Sequence, residues 1–331
     1  MNGLKGVDAC EVLVLVDNVS DLLSTVPAGV TPEIPNVFGA GARELSGRCL
    51  CCAQWGLSLI ITARIGERTH TLLFDSGPEG YGVARNGDRL GVDFGRIDAT
   101  VFSHGHWDHV GGMTTALELI MRSNGGRPVP VHANAGMFVT RAMRRPDGIM
   151  IPFEKVPDAA TLETAGGTMI IDDAERLLLD DMFYLSGEIP RVTPFEIGLP
   201  GHVRQAPDGT WEDDAAIMDE RFVAVHVKNK GMLVFTACSH AGVINVLKHA
   251  RERFAPIPLY GVMGGFHLSG MPAETVIPET VNALREFDLQ MMVPGHCTGW
   301  RAIHRLVDAF GPERVVPSAV GRRHHFSSSA K

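Results

Sequence analysis

The sequence lacks a long hydrophobic run, an excess of basic charge and a regular cysteine pattern. No stretch approaches the roughly 18 uninterrupted apolar residues of a membrane span, so we expect no membrane partner. Residues 1–10 lack the basic-then-apolar order of a signal peptide, and we expect a cytoplasmic protein. The formal net charge is −8, whereas a general nucleic-acid binder needs a basic face. We therefore expect no nucleic-acid partner.

The six cysteines do not resemble a disulfide framework, because Cys49, Cys51 and Cys52 are crowded together. Thiolates are zinc ligands, but no second cysteine pair with zinc-finger spacing follows. We interpret the three as buried or surface thiols and leave their role open. Cys238 and Cys297 each neighbour a histidine of interest, and we interpret them as small side chains packed near a site.

The composition is that of an ordinary globular protein, with 45% hydrophobic and 21% charged residues in a chain of 331. A chain of this length can bury a large core without disulfides. Nothing in the composition marks an interdomain linker. We predict a single domain over residues 1–331, with a lid or insertion around 148–215 and a frayed tail at 321–331. The oligomeric state stays open.

Hydrophobic periodicity predicts strands first and then alternating strands and helices. The predicted strands are 11–16, 57–63, 69–74, 99–102, 129–133, 168–172, 182–185, 222–227, 231–236, 259–263 and 290–293. The predicted helices are 113–122, 135–144, 243–254, 278–287 and 298–310. Residues 21–44 look like a loop, and residues 195–215 like an exposed loop or lid. This α/β pattern suits two packed mixed sheets with helices on the outer faces.

Four candidate metal ligands lie within the segment 103–109, namely His104, His106, Asp108 and His109. Imidazole nitrogens and carboxylate oxygens suit zinc and neighbouring first-row metals. In an extended segment His104 and His106 point the same way and can share one ion. Asp108 and His109 follow as the chain turns into a helix, and they can reach a second ion. A buried group of this kind is costly without a metal, so the segment predicts a metal centre.

The HxHxDH pattern, placed after a strand and before Gly111-Gly112, resembles the metallo-β-lactamase superfamily. Other segments are similar to one branch of it, the proteins resembling 7,8-dihydropterin-6-methyl-4-(β-D-ribofuranosyl)-aminobenzene-5′-phosphate synthase. They are LVDN at 15–18, GLS at 56–58, LFDSGP at 73–78, SGEIPR at 186–191, CSHAG at 238–242, GGFHL at 264–268 and PGHCTG at 294–299. The resemblance implies an αββα sandwich with its site at one edge and one or two divalent metal ions.

The resemblance also implies two groups of three ligands, each completed by a later histidine. His240 and His296 lie on loops just after apolar strands, as His104 does, and they are the best candidates for these positions. The implied ligands are His104, His106 and His240 for the first ion and Asp108, His109 and His296 for the second.

Two further residues have alternative interpretations. The resemblance places Asp75 behind a ligand histidine, which it would orient through the free ring nitrogen; a turn-forming aspartate is the alternative. His267 is a metal ligand, a substrate contact or a proton shuttle with a pKa near neutrality, or else a structural loop histidine. We take Asp108 and His267 as the candidates for catalytic roles.

The sequence departs from the family pattern at two places. Much of the superfamily has an aspartate that bridges the two ions after a late strand, but here the strand 231–236 leads into Ala237-Cys238-Ser239. This leaves the number of metal ions open. The branch commonly has Glu-His before Gly-Leu-Ser, whereas this chain has Gln54-Trp55. An aromatic wall would replace a polar group there, so the identity of the substrate is not determined by the resemblance.

The site most directly supports hydrolysis of a small anionic phosphoester or other ester by metal-activated water, since zinc lowers the pKa of bound water to about 7. The resemblance implies an alternative reaction, in which a dihydropterin diphosphate condenses with an aminobenzene ribose phosphate and releases diphosphate. A metal-bearing metabolite-binding or sensor protein with little turnover is the third hypothesis. Zinc is the expected metal, with manganese and iron as alternatives.

Overall fold

The computed structural model describes residues 3–328. The strands are β1 (Gly6–Val7), β2 (Ala9–Val16), β3 (Val30–Thr31), β4 (Ser58–Ile65), β5 (Arg68–Phe74), β6 (Ile97–Val101), β7 (Val129–Ala133), β8 (Arg141–Arg144), β9 (Met150–Pro152), β10 (Gly167–Ile171), β11 (Arg176–Leu178), β12 (Phe183–Leu185), β13 (His202–Gln205), β14 (Trp211–Asp213), β15 (Val223–Val227), β16 (Gly231–Phe235), β17 (Leu259–Gly265), β18 (Met291–Gly295) and β19 (Arg323–Ser327).

The α-helices are α1 (Glu33–Gly39), α2 (Gly80–Arg89), α3 (Trp107–Val110), α4 (Met113–Ser123), α5 (Ala159–Thr164), α6 (Val243–Phe254), α7 (Ile277–Leu284) and α8 (Trp300–Phe310). Short 3₁₀ turns cover Phe94–Arg96, Ala135–Met137, Ala273–Val276, Arg285–Phe287 and His296–Thr298. None of the helices between residues 3 and 328 combines the length and apolar character that a membrane span requires.

The strands form two large mixed sheets and one small sheet. The first large sheet has the order β10-β7-β6-β5-β4-β2-β19-β3, and the second has the order β11-β12-β15-β16-β17-β18, with β1 against β15. The small sheet has the order β14-β13-β8-β9. Strands β5, β6 and β7 run parallel in the first sheet, as do β16, β17 and β18 in the second. The loops that carry the candidate site residues follow the carboxyl ends of these parallel strands.

The alternation of side chains along β2 shows how each sheet separates two cores. Val12 and Val14 pack into the core between the two sheets, while Leu13 and Leu15 pack into a core on the outer face. Successive side chains of a strand point to opposite faces, so a continuous apolar run indicates a strand buried on both sides. Helices α2 and α4 cover the first sheet, and α6, α7 and α8 cover the second. The layers are those of an αββα sandwich.

Two sequence predictions are wrong because long-range strand pairing overrides local propensity. The helix predicted at 135–144 is a 3₁₀ turn followed by β8, which pairs with β9 and β13. The tail predicted to be frayed at 321–331 contains β19, which lies between β2 and β3. In β19 the buried His324 and Phe326 alternate with the more exposed Arg323 and His325. Residues 329–331 of that prediction lie outside the described residues.

The two predicted loops also contain regular structure. Residues 21–44 include β3 and α1, whose buried residues are Glu33 and Val37. Residues 195–215 include β13 and β14, which pair with each other and, through β13, with β8. Within the predicted lid region 148–215, strands β10, β11 and β12 belong to the two large sheets.

The position of β19 gives a stability prediction. Phe326 is 5% exposed and packs into the core between the two sheets. Phe326→Ala should lower the free energy of unfolding by about 3 kcal/mol, because it removes a buried ring and leaves a cavity. His325→Ala, on the same strand with an exposed side chain, is the control and should change it by less than about 0.5 kcal/mol. Equal denaturation curves for the two variants would contradict this placement of β19.

Candidate metal centre

The carboxyl end of β6 leads into the segment that carries the first two histidines. His104 and His106 are buried, and His104 Nε2 lies 3.0 Å from His106 Nδ1. The ring of His240, on the loop after β16, lies 4.9 Å from both rings, measured between centroids. Three imidazoles from the two large sheets therefore converge on one point.

The hydrogen bonds behind His104 leave a lone pair on its Nε2 atom. Ser103 Oγ lies 2.7 Å from Asp75 Oδ2 and 2.9 Å from His104 Nδ1. A carboxylate only accepts hydrogen bonds, so the Ser103 hydroxyl donates to Asp75 and accepts from His104 Nδ1–H. Burial lowers the pKa of His104 well below its usual range, which keeps the ring neutral. Its Nε2 atom then has no proton.

The same reasoning fixes the tautomer of His106. His106 Nε2 lies 3.0 Å from His202 Nε2, and His202 Nδ1 lies 3.0 Å from the carbonyl oxygen of Asp214. That carbonyl can only accept, so His202 Nδ1 donates to it, and His202 Nε2 is the atom that accepts from His106 Nε2–H. Burial lowers the pKa of His106 as well. His106 Nδ1 is thus unprotonated and faces the equally unprotonated Nε2 of His104.

The ring of His240 has no partner for either nitrogen, although it is almost fully buried. A buried polar group without a hydrogen bond costs about 1–3 kcal/mol. Its backbone N–H is held by Glu220 Oε1 at 2.8 Å, and the next amide, Ala241 N–H, by Glu220 Oε2 at 2.6 Å. Unpaired nitrogens beside two facing lone pairs fit a divalent cation, which supplies what the protein atoms lack.

A second group of ligand atoms lies beside the first. His109 Nε2 is 3.2 Å from His296 Nε2, and Asp108 Oδ2 is 3.4 Å from the same atom of His296. Burial opposes the charged form of Asp108, but His109 and His296 outweigh burial and lower the carboxyl pKa. His109 Nδ1 lies 2.8 Å from Asp75 Oδ2, so Asp75 stands behind His109, where the resemblance placed it. The donor set fits a second divalent ion.

The N-terminal LVDN segment holds the loop that carries His296. Asn18 Nδ2 donates to the carbonyl oxygen of His296 at 3.2 Å, and the amide of His296 lies 3.4 Å from Asp17 Oδ1. Trp55 is 50% exposed, and its ring lies 5.3 Å from that of His296 between centroids. The departure at Gln54-Trp55 therefore places an aromatic surface at the mouth of the site.

Cys238 has a more central place than packing alone requires. Its sulfur lies 3.3 Å from His109 Nε2, and it belongs both to a group with His104 and His240 and to a group with His109 and His296, the ligand atoms of each group lying within 4.8 Å of one another. Cys238 lies on the loop after β16, where much of the superfamily has the bridging aspartate that this sequence lacks. Burial raises the pKa of the Cys238 thiol, so a nearby cation would be needed to hold the thiolate.

His267 and Cys297 complete the cluster on the far side of His240. The ring of His267 lies 4.3 Å from that of His240 between centroids, and its Nδ1 atom has no partner. Cys297 Sγ lies 3.3 Å from Cys238 Sγ, and the two thiols form a third possible ligand group with His267. The structure thus brings all the predicted site residues into one cluster: His104, His106, Asp108, His109, His240, His296, Asp75 and His267.

The loops of this cluster include four of the ten non-glycine residues with left-handed backbone between residues 3 and 328. Asp75, Ser239, His267 and His296 have φ angles of 58°, 58°, 43° and 46°. A non-glycine residue in the left-handed region costs about 1–3 kcal/mol and persists where the surroundings enforce it, often at functional sites. The four strained residues belong to loops from different strands, so the fold holds each loop in a conformation that local preference disfavours.

Comparison with known proteins agrees with this geometry. Residues 58–172 match the family model described as the metallo-beta-lactamase superfamily. A solved structure, Tm1679, described as a metal-dependent hydrolase of the β-lactamase superfamily, has a TM-score of 0.68 at 21% identity, covering 96% of this chain and 99% of that one. An uncharacterized protein of Methanocaldococcus jannaschii is 30% identical over 256 residues, which cover 77% of this chain and 88% of the relative. The chain belongs to the metallo-β-lactamase superfamily.

A second relative points to a branch of the metallo-β-lactamase superfamily. The 7,8-dihydropterin-6-methyl-4-(β-D-ribofuranosyl)-aminobenzene-5′-phosphate synthase of the same organism is 25% identical over 260 residues, covering 78% of this chain and 85% of the relative. The predicted resemblance, fold class and enzyme class are confirmed. Superfamily members generally bind divalent metals, and this chain has groups of residues that could hold them.

Reasoning from the sequence placed Cys238 near the site as a packed side chain without predicting it as a ligand, and it did not predict His202 at all. Cys238 had a usable signal, since it lies where the family's bridging aspartate is absent. His202 had none, because it lies in a segment predicted to be a loop and reaches His106 only through the pairing of β13 with β8.

The position of Cys238 predicts a thiolate ligand. Cobalt-loaded protein should show a sulfur-to-cobalt charge-transfer band in the near ultraviolet, and Cys238→Ala should abolish most of it. Cys10→Ala is the matched control, because Cys10 is buried in the core between the sheets. A band of unchanged intensity in Cys238→Ala would contradict this role.

The hydrogen bonds of Asp75 predict a loss of metal affinity in Asp75→Asn. The amide would present N–H groups where Ser103 and His109 now donate, so the tautomers of two ligand rings would be lost. Zinc affinity, measured by competition with a chelator, should fall by about 10–100-fold. Asp98→Asn is the control, since Asp98 is partly exposed and bonds to His70. Wild-type affinity in Asp75→Asn would show that the carboxylate does not orient the ligands.

Proposed function

We propose that the protein is a metal-dependent hydrolase of a small anionic ester, with a phosphoester as the first substrate to test. The observation that carries this is the pair of unprotonated nitrogens, His104 Nε2 and His106 Nδ1, that face each other at 3.0 Å beside the unpaired ring of His240. Such an arrangement suits a cation better than any other partner. Membership of the metallo-β-lactamase superfamily supports the reaction class.

Two ions would be held by the two groups, with Cys238 near both. Nitrogen and thiolate donors favour zinc over magnesium or calcium, with manganese and iron as alternatives. A divalent ion at this position supplies Lewis-acid chemistry, which activates water and neutralises the charge of a leaving group.

The chain's own groups supply the proton chemistry. Asp108 is a buried carboxylate whose pKa is held low by His109 and His296, so it can accept a hydrogen bond from a water molecule and orient it. His267 is largely buried, with its Nδ1 atom free, and it can hold a proton for the leaving group. Arg141 is a buried cation paired with Asp219 and Asp214. Asp219 accepts a hydrogen bond from the amide of Gly105, so the pair positions the segment that carries His104 and His106.

A second candidate function is condensation of a dihydropterin diphosphate with an arylamine. The similarity to the aminobenzene-5′-phosphate synthase along 78% of the chain favours it. The two reactions differ in whether water or an amine nitrogen displaces the diphosphate. Mass spectrometry of the products formed from dihydropterin diphosphate with an arylamine acceptor separates them, because only the condensation forms a carbon–nitrogen bond.

The proposal predicts metal-dependent ester hydrolysis that requires His106. With added Zn²⁺ or Mn²⁺, wild-type protein should hydrolyse a generic phosphodiester or sulfonate ester. The rate of His106→Ala should be at least about 100-fold lower. Substituting a residue that only hydrogen-bonds to a metal ligand already lowers activity or metal affinity about 10–100-fold, and His106 is expected to contact the metal itself. His304→Ala, with a side chain that is 71% exposed, should match wild type. Equal rates for His106→Ala and wild type, or tight metabolite binding without turnover, would contradict the catalytic assignment.

A further inference from the structure

A cavity of about 140 Å³ opens beside the metal centre. His240 and His267 are among its lining residues, so the cavity adjoins the ligand cluster. The other walls come from the segment before β13 and from the loop between β17 and α7. They are mainly apolar, and they include Phe195, Leu199, Phe266, Leu268, Met271 and Val276. A substrate bound at the metal centre therefore extends into apolar surroundings.

The cavity offers no cation to an anionic group. Its described lining contains no lysine or arginine, and its one acidic residue is Glu196. The carboxylate of Glu196 is already occupied, because it accepts hydrogen bonds from Ile244 N at 2.7 Å, Asn245 N at 2.9 Å and Thr193 Oγ1 at 2.8 Å. These bonds fix the first turn of α6, so the Glu196 carboxylate has little capacity left to bind a ligand. The phosphate of a substrate thus belongs at the metal centre and not in the cavity.

The hydroxyl protons of the lining are engaged as well, so these groups donate no hydrogen bond to a ligand. Ser269 Oγ donates to the carbonyl oxygen of Cys297 at 2.9 Å, and Ser239 Oγ donates to that of Gly265 at 2.8 Å. The other two hydroxyls donate to backbone carbonyls within their own turns, Thr275 to Pro272 and Thr280 to Val276. Among the described lining residues, His240 and His267 have unpaired ring nitrogens to offer a polar heterocycle. Its other buried donors and acceptors would cost free energy wherever they stay unpaired.

The rim of the cavity exposes apolar side chains to solvent. Ile197 is 58% exposed and Met271 is 77% exposed, and both line the cavity. They come from two different segments, the one before β13 and the loop after β17. Apolar side chains on both sides of an opening gain from an apolar ligand that covers them.

We propose that this cavity binds an uncharged, apolar group of the substrate, about the size of one aromatic ring, while the anionic ester group lies at the metal centre. The inference rests on the proposed function of that centre. The size follows from the volume, since an apolar cavity of about 150 Å³ binds benzene. The preferred substrates are aryl or branched-alkyl esters, and a pterin ring with its many polar atoms fits this cavity poorly.

The test compares phenylphosphonate with methylphosphonate, two ligands that carry the same anionic group and undergo no hydrolysis. Calorimetric titration of the zinc-loaded protein should give at least tenfold tighter binding of phenylphosphonate. Ile197→Asn should reduce this preference at least threefold and leave methylphosphonate binding unchanged. Val192→Asn is the matched control, because Val192 is 60% exposed and lies outside the cavity lining; it should behave as wild type.

Equal affinity of the two phosphonates for wild-type protein would overturn the proposal, and this comparison depends on no variant. A preference for phenyl that Ile197→Asn leaves intact would overturn the assignment to this cavity. The proposed hydrolysis can fail separately: tight, Ile197-dependent binding of phenylphosphonate without turnover of any ester would support the cavity and contradict the catalytic function.

Discussion

Two imidazole lone pairs face each other across 3.0 Å in the interior of this protein, and the rest of the site is arranged around that contact. The contact is repulsive unless a cation lies against it. Asp75, through Ser103, sets the tautomer on one side, and His202, held by the carbonyl of Asp214, sets it on the other. The ring of His240 beside the two imidazoles has no hydrogen-bond partner for either nitrogen. The hydrogen bonds behind the ligands therefore orient the ring nitrogens toward a cation.

The ligand groups also connect the two halves of the sandwich. His104 and His106 follow β6 in the first sheet, while Cys238 and His240 follow β16 and His296 follows β18 in the second. The loops that carry them include left-handed residues, a conformation that needs enforcement by neighbours. Asp17 and Asn18, at the end of β2 in the first sheet, hold the His296 loop of the second. An ion bound between these groups would tie the two sheets together and stabilise the folded state.

Reasoning from the sequence located the ligands that lie on strand ends, because apolar runs followed by polar loops are local signals. It predicted β2, β4, β5 and β6 and the helix α6 for the same reason. It was wrong for β8 and β19. Strand β19 pairs with the distant β2 and β3, and β8 pairs with the distant β13 as well as with the nearby β9. Cys238 was not predicted as a ligand, and His202 was not predicted at all, for a related cause. A cysteine can be recognised as a ligand only once the fold has brought other ligand residues beside it. His202 reaches His106 only through the pairing of strands in the small sheet.

We expect a metal ion to lie against the facing nitrogens of His104 and His106. Anomalous diffraction at the zinc absorption edge, on crystals of zinc-loaded protein, tests it most directly. The account predicts an anomalous peak in contact with His104 Nε2, His106 Nδ1 and the ring of His240. A map with no peak there, or with zinc only at surface residues, would contradict it.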